Sequence, residues 1–563
     1  MGNQTLKGLV IADFNADNLA ALLTNDRREP PLLVKTAPYG QVYQMLMDAD
    51  SEYWREGPDF AVVWTRPQGV IRSFKELMNF EQVPLEQVLE EVDAYADLLD
   101  QAKDRARFFF VPTWVVPAYQ RSFGLLDMRE GIGIANILMR MNLRLAERLE
   151  GAENIYLLNT QRWTETVGKH AHNPKMWYMG EIGFANEVFK EIAEDIRSAL
   201  MALNGQGRKL IILDLDDTLW GGIVGDDGWE NLILGGHSPV GEAFVDFQHT
   251  LKSLTKRGIV LGVVSKNEEE VALEAIRNHP EMVLGESDFV GWKINWNDKA
   301  QNIVELVQEL SLGLQSVVFI DDNPVERARV REMLPEVLVP EWPEDKILSK
   351  KALLSLTCFN TPTISREDAQ RTQMYVKERQ RRDLRAQVSS PEAWLSSLDI
   401  QVQVELLNET NLPRAAQLFN KTNQMNLSTR RLTEVELMDW AQQADHRLWT
   451  LRVADKYGDS GLTGIISLAI AGNTGQIVDF LLSCRVMGRK IEETMLAIAV
   501  QAARDLGLEM VVAEYQPTKK NKPCLEFWQR SGFSLEAGGS RFCWSTQELY
   551  PFPEQVHLER VLP

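Results

Sequence analysis

The sequence predicts a mixed α/β protein of three domains. Three observations carry that expectation. Apolar runs of strand length alternate with amphipathic stretches through the first two hundred residues; the alternation restarts at Lys209; and beyond a charged stretch at 365–395 strands and helices follow one another in a different order. A chain of 563 residues is long enough for each domain to bury its own core.

In order along the chain, KGLVIADF, DFAVVWT and RFFFVPTWVV read as strands, with helices around 71–103 and 130–150 and a further strand at NIYLLN. Strands separated by helices favour a parallel sheet. GFANEVFKEIAEDIRSALMAL keeps a 3.6-residue apolar period, and NGQGRK after it supplies a C-cap and a loop, so the first domain is expected to span 1–205. A second α/β domain, 206–360, follows from KLIILDLDDTLW, GIVLGVVSKN and SVVFIDDNP, three strand-type runs ending in polar residues. REDAQRTQMYVKERQRRDLRAQ lacks a wide apolar stripe and reads as an exposed connecting helix within 361–395. The last domain, 396–563, takes strands at IQVQVELL, LWTLRVAD, GLTGIISLAI, QIVDFLLSCRV and MVVAEY, with helices around 411–421, 433–443 and 490–506.

Sixty Lys and Arg against eighty Asp and Glu give a net charge of −20, a field that opposes nucleic acid as a main partner. The four cysteines, Cys358, Cys484, Cys524 and Cys543, form no CxxC pair, which argues against a disulfide framework or a zinc site and favours a reducing cytoplasm. MGNQTLKGLV has no long apolar core, and no window approaches the ~20 apolar residues that span a bilayer, so no membrane association is expected.

The densest chemistry follows LIIL. Asp214 and Asp216 stand two residues apart at a strand end, the edge at which open α/β sheets bind ligands. One carboxylate can attack phosphorus while the other handles protons. Ser265 follows GVV, Lys299 lies in INWNDKAQ, and Asp321 and Asp322 follow VVFI. Singly, a DxD can be a turn or an N-cap and a Lys before a helix can be solvated. In this order they resemble the haloacid dehalogenase superfamily over about 208–345. That resemblance implies a Rossmann-like domain with Asp214 as nucleophile, Asp216 as acid and base, and Thr218 orienting the loop. It also implies Ser265 bonding a phosphoryl oxygen, Lys299 neutralising charge, and Mg2+ held by Asp214, the carbonyl of Asp216, Asp321 and Asp322. WGGIVGDDGWENLILGG is too short for a cap domain and is expected to form a hairpin flap.

The C-terminal third runs from DFLLSCRV through a Gly-containing turn into a helix, a geometry that aims backbone N–H groups at an anion. Arg485, Gly488 and Arg489 resemble the pyrophosphate loop of the N-acetyltransferase superfamily, with Lys490 departing from the pattern; Asn521, Phe527 and Gly532-Phe533 also fit that fold. Cys484, before the loop, reads either as a small buried hydrophobe or as a thiolate favoured by Arg485 and the helix N-terminus. Cys524 and Cys543 read as structural.

Taken together, DLDDTLWGGIVGDDG, VVSKN, NWNDKAQNI, FIDDNPVER, FNKTNQMNLSTRR and LLSCRVMGR resemble FkbH-like proteins, which fuse a haloacid-dehalogenase-type domain to an acyltransferase-like domain. The resemblance implies loading of a glyceryl unit from 1,3-bisphosphoglycerate onto an acyl carrier protein, with Asn423 and Gln424 as pocket amides or as capping groups. The first domain resembles an SGNH-hydrolase-like, flavodoxin-style segment, with Asp13 where that fold carries a nucleophilic Ser. His170 and His172 are either catalytic or solvated, and the domain is expected to be degenerate. A phosphatase with an inert C-terminal domain, or a carrier-docking module, are the alternatives. An acidic carrier would need a basic surface, for which Arg379, Arg381, Arg382 and Arg385, or Lys519, Lys520 and Lys522, are candidates.

Overall fold

Strands form where the apolar runs stand. The computed structural model describes residues 5–560 other than 120, 365, 388–389, 423, 519–520 and 537–538. In chain order the strands are β1 (Leu6–Ala12), β2 (Leu32–Thr36), β3 (Phe60–Trp64), β4 (Phe108–Pro112), β5 (Ile155–Leu158), β6 (Leu210–Leu213), β7 (Val260–Ser265), β8 (Phe289–Ile294), β9 (Val317–Ile320), β10 (Ile400–Leu406), β11 (Met425–Asn426), β12 (His446–Asp455), β13 (Gly458–Ala471), β14 (Thr474–Leu482), β15 (Met510–Glu514), β16 (Ser534–Leu535), β17 (Arg541–Ser545) and β18 (Val556–Arg560). Contacts group the chain into two units, one of residues 1–210 and 313–365, the other of 211–312 and 366–563.

In the first unit β1–β5 form a parallel sheet of order β2-β1-β3-β4-β5, the flavodoxin-like order expected of alternating strands and helices. The period-2 alternation divides its core in two. Leu9, Ile11, Ala61, Val63 and Phe109 face one layer of helices, and Val10, Ala12, Val62, Trp64 and Phe110 the other. β9 lies in this unit and is bridged to Leu338.

In the second unit β8, β7 and β6 lie side by side, with β7 and β8 parallel. The C-terminal strands make a larger mixed sheet of order β16-β17-β15-β14-β13-β12-β10-β18, with β11 on β14. There β14 and β15 run parallel and pair only over Thr474–Ile477 and Met510–Ala513. The last residues of β14 instead take β11 as neighbour.

Six strands escape the sequence reading, among them the two-residue β11 and β16. β2 alternates buried and exposed positions behind two prolines, β8 carries Gly291 at its centre, and β17 and β18 follow Gly- and Pro-containing stretches. Short half-exposed strands give weak periodicity. The helical region at 71–103 is interrupted between Met78 and Leu85, where Phe80 takes φ +61° and Pro84 precedes a new helix. Among the described residues no helix is long and apolar enough to cross a membrane.

Candidate active site

The four residues of β6 are fully buried, and the chain leaves the sheet directly into Asp214. Lys299, the first residue of the helix Lys299–Glu309, sets its Nζ 2.9 Å from Asp214 Oδ2. Both side chains are at most 10% exposed, so each charge relies on the other for the solvation it has lost. Asp298 caps that helix through the N–H groups of Ala300 and Gln301, which fixes where Lys299 begins. Asp214 Oδ1 is buried without a hydrogen-bond partner.

Asp216 is held differently. Its Oδ1 accepts from the Trp220 indole at 2.9 Å and the Val224 N–H at 3.1 Å, and its Oδ2 accepts from Asn267 Nδ2 at 2.9 Å. Burial pushes its pKa up, the hydrogen bonds oppose that, and the charge of Asp214 adds to the rise. A carboxyl whose burial favours the protonated form, beside a second carboxyl paired with a lysine, suits the division of labour that acid catalysis and nucleophilic attack require. Asn267 also reaches Ser265 Oγ at 3.3 Å, tying the end of β7 to Asp216. The sequence reading passed over Asn267, although its signal was on view in VVSKN. It missed Gln248 as well, a fully buried amide that donates to the Leu219 carbonyl and accepts from Val283 and Leu284.

Thr218 is buried, and its N–H closes the turn on Leu215. Asp217 adopts φ +52° and accepts from the Gly222 N–H. The flap is partly a hairpin: Gly221 and Ile233 exchange backbone hydrogen bonds, but a helical turn at Val224–Asp227 lies between them. In the other unit, buried Asp321 accepts from the Asn323 N–H, Arg327 bonds the carbonyls of Asp321 and Asp322, and Lys346 pairs with Asp322 at 3.1 Å. Asp214, Asp321 and Asp322 each offer carboxylate oxygens, the donor type that a hard cation takes. The unpartnered Asp214 oxygen and an all-oxygen donor set fit magnesium. The Asp216 carboxylate is engaged elsewhere, so its carbonyl is what remains for a metal.

The second constellation is arranged otherwise. After β14 the chain turns through Cys484–Val486, passes Gly488 at φ +73°, and enters the helix Ile491–Asp505 from Lys490 at φ +66°. The Gly488 N–H donates to Glu492 Oε1 at 2.8 Å. A carboxylate of the chain therefore sits where the sequence reading expected a pyrophosphate. Arg489, expected as a substrate-binding residue, is buried, with its guanidinium on Asp455, Glu378 and the Arg485 carbonyl. Lys490 pairs with Glu493. Arg485 is half-buried and Gln424 exposed. The side chain of Cys484, and Asn423, Lys519 and Lys520, lie outside the described residues.

Around this turn, FNKTNQMNLSTRR is pinned by fully buried Asp479, which accepts from Ser428, Ser467 and Arg430. Asn521 holds Tyr515, Thr518 and the Asn426 carbonyl. Burial pushes the Cys524 thiol up to about 12 and, with Glu536, the Cys543 thiol up to about 11, so neither is a ready nucleophile. Of the basic cluster, Arg381 binds Asp455, Arg382 the Glu309 carbonyl, and Arg379 and Arg385 lie over Trp292 and Trp394. In the first unit, Asp13 gives both oxygens to Arg66, His170 is exposed and His172 half-buried.

Residues 9–200 match the family model described as the FkbH N-terminal domain. Among solved structures, the N-terminal part of the Bacteroides fragilis protein BF1531, which contains a phosphatase domain and is complexed with Mg, is similar at 29% identity and TM-score 0.58. The match covers 64% of this chain and 95% of that one. The Escherichia coli ribosomal-protein-S18-alanine N-acetyltransferase matches 26% of this chain and 94% of its own, at 9% identity and TM-score 0.21. Spermidine N-acetyltransferase from Vibrio cholerae, solved with CoA and spermine, matches 26% and 96%, at 15% identity and TM-score 0.22. A comparison with curated proteins gives no match.

Proposed function

We propose that the chain is a magnesium-dependent phosphatase of the haloacid dehalogenase type that dephosphorylates a three-carbon acyl unit and loads it onto an acyl carrier protein. The observation that carries the phosphatase reading is the pairing of Asp214 with buried Lys299 beside Asp216, a carboxyl whose pKa burial raises. Similarity to a Mg-complexed, phosphatase-containing protein supports it, as does the FkbH match at 9–200.

In this reading an Asp214 oxygen attacks phosphorus, the ester P–O bond breaks, and Asp216 gives its proton to the leaving alkoxide. Asp216 then takes a proton from the water that attacks the aspartyl phosphate, releasing phosphate and restoring Asp214. Lys299 holds charge on Asp214, and the Ser265 hydroxyl donates to a phosphoryl oxygen. Magnesium, held by Asp214, Asp321, Asp322 and the Asp216 carbonyl, would supply positive charge against the phosphoryl oxygens.

Acyl transfer needs a second nucleophile. The Cys484 thiolate would attack the carbonyl carbon of 1,3-bisphosphoglycerate, expelling phosphate, and the carrier thiol would then displace the glyceryl unit from Cys484. Incubation of a carrier protein with the enzyme, magnesium and 1,3-bisphosphoglycerate, read by intact-mass spectrometry, tests the whole reading. The expected product is carrier plus one glyceryl unit, with phosphate retained on that unit in Asp214→Asn and no loading in Cys484→Ala. A phosphatase acting alone is the second reading, favoured by the closure of the 485–492 turn on Glu492. Phosphate release without carrier loading selects it.

A further inference from the structure

A parallel sheet of order 2-1-3-4-5 binds ligands outside the carboxyl ends of its strands, where the order reverses between β1 and β3. Asp13 follows β1 and Arg66 follows β3, so this chain fills the crevice with an ion pair. The Arg66 N–H and Nε reach the two Asp13 oxygens at 2.8 and 2.9 Å. Gly69 closes over it: a Cβ there would lie 1.9 Å from Asp13 Oδ2. Asp13 is therefore sealed, with neither oxygen free to act as a nucleophile.

Next to this plug a cavity of about 260 Å³ remains, formed by the segments that leave β3, β4 and β5 and closed by residues between His172 and Phe184. We propose that it binds a small uncharged molecule that presents an N–H or O–H donor on an apolar or aromatic body. The volume is below the ~300–1,000 Å³ of usual drug-sized sites, which limits the ligand to a small one.

Charge decides the class. Among the described lining residues Arg66 is the one with a formal charge, and Asp13 already neutralises it. His172 Nδ1 stands 3.2 Å from the Gly183 carbonyl, so it carries the proton there, and burial lowers the ring's pKa and keeps it neutral. An anion or a cation entering the cavity would lose water and meet no free countercharge.

The polar groups point to a donor on the ligand. Gln68 Oε1 and Thr160 Oγ1, both on lining residues, are buried without a hydrogen-bond partner. A terminal amide and a hydroxyl turn about single bonds, so each can meet a ligand donor without backbone movement. The walls are aromatic: Trp177 stacks on Arg66, with the guanidinium carbon 3.9 Å from the ring centre, and Tyr178 is exposed at the rim.

The test is ligand-observed saturation-transfer NMR on the full chain with benzamide and benzyl alcohol as probes, against benzoate, benzylammonium and toluene. Benzamide and benzyl alcohol should bind at millimolar concentration, and the two ions at least about tenfold more weakly. Gln68→Leu should weaken benzamide but not toluene, and Val115→Trp, which fills the cavity, should abolish the binding of both neutral probes. Tyr178→Ala, at an exposed position, should weaken benzamide and stands in if Val115→Trp fails to fold. Benzoate binding as well as benzamide, no binding by either neutral probe, or benzamide binding unchanged in the variants that fold would each overturn the proposal. No phosphate or carrier substrate enters the experiment, so its failure leaves the proposed function untouched.

Discussion

Two strand-to-helix junctions in the second unit treat their polar groups in opposite ways. After β6, Asp214 keeps one buried oxygen without a partner and lends the other to Lys299. After β14, the Gly488 N–H that could meet an anion is taken by Glu492, and Arg489 is locked onto Asp455 and Glu378. Both junctions match catalytic patterns in sequence. The difference lies in which group is left unsatisfied: after β6 it is an acceptor oxygen of Asp214 beside Lys299, and after β14 it is Glu492 Oε2, while the Gly488 N–H is met.

The sharpest break of that comparison is at Asp214. Asp214→Asn should lower phosphate release by roughly 10⁴-fold or more, since the amide neither attacks phosphorus nor supports a cation. A chelator should act likewise on the wild type. Steady-state phosphate assays decide, and wild-type rates in the variant would sink the phosphatase reading.

Asp216→Asn should cost about 10²–10⁴-fold with an alkyl phosphate, and far less with p-nitrophenyl phosphate, whose leaving group needs no proton. Asn267→Leu removes a hydrogen bond that favours the charged carboxylate, so the basic limb of the rate profile should move to higher pH. An unchanged limb would assign that titration to another group.

At the second junction the effects should be on stability rather than on phosphate release. Arg489→Met strands Asp455 and Glu378 beside one fewer cation, and a loss of about 3 kcal/mol is expected in urea melts. Wild-type phosphate release should persist under native conditions.

The smallest change concerns Glu492, whose pKa burial raises to about 6 from 4.5. Its folded form holds the proton more tightly than the unfolded chain does. The penalty for ionising it is therefore absent below about pH 4.5 and complete above about pH 6. Glu492→Gln keeps the oxygen that accepts from Gly488 and should stabilise the protein by about 2 kcal/mol at neutral pH, with the gain vanishing on acidification. A gain that persists at acid pH would assign the effect to packing.

The order of Asp214, Asp216, Ser265, Asp321 and Asp322, each at or just after an apolar run, with Lys299 opening a helix between them, was readable in the chain because a strand end in a parallel sheet is a fixed address. Asn267 and Gln248 were not, since a single buried amide leaves no periodic trace and its partners are distant in sequence.

Composition and periodicity by themselves determined the mixed α/β class, the parallel first sheet and the carboxylates at the end of β6, because these depend on local burial pattern and strand direction. Whether a motif is open or closed was decided only by tertiary structure. Sequence reads the Gly488 turn as an anion loop, while in the fold Glu492 reaches back onto it and Asp455, 34 residues away at the end of β12, pairs with Arg489. Likewise, nothing in IADFN tells that Arg66 seals Asp13. Hydrogen bonds and ion pairs form by proximity in space, and which donors find which acceptors is settled only when the sheets and helices pack.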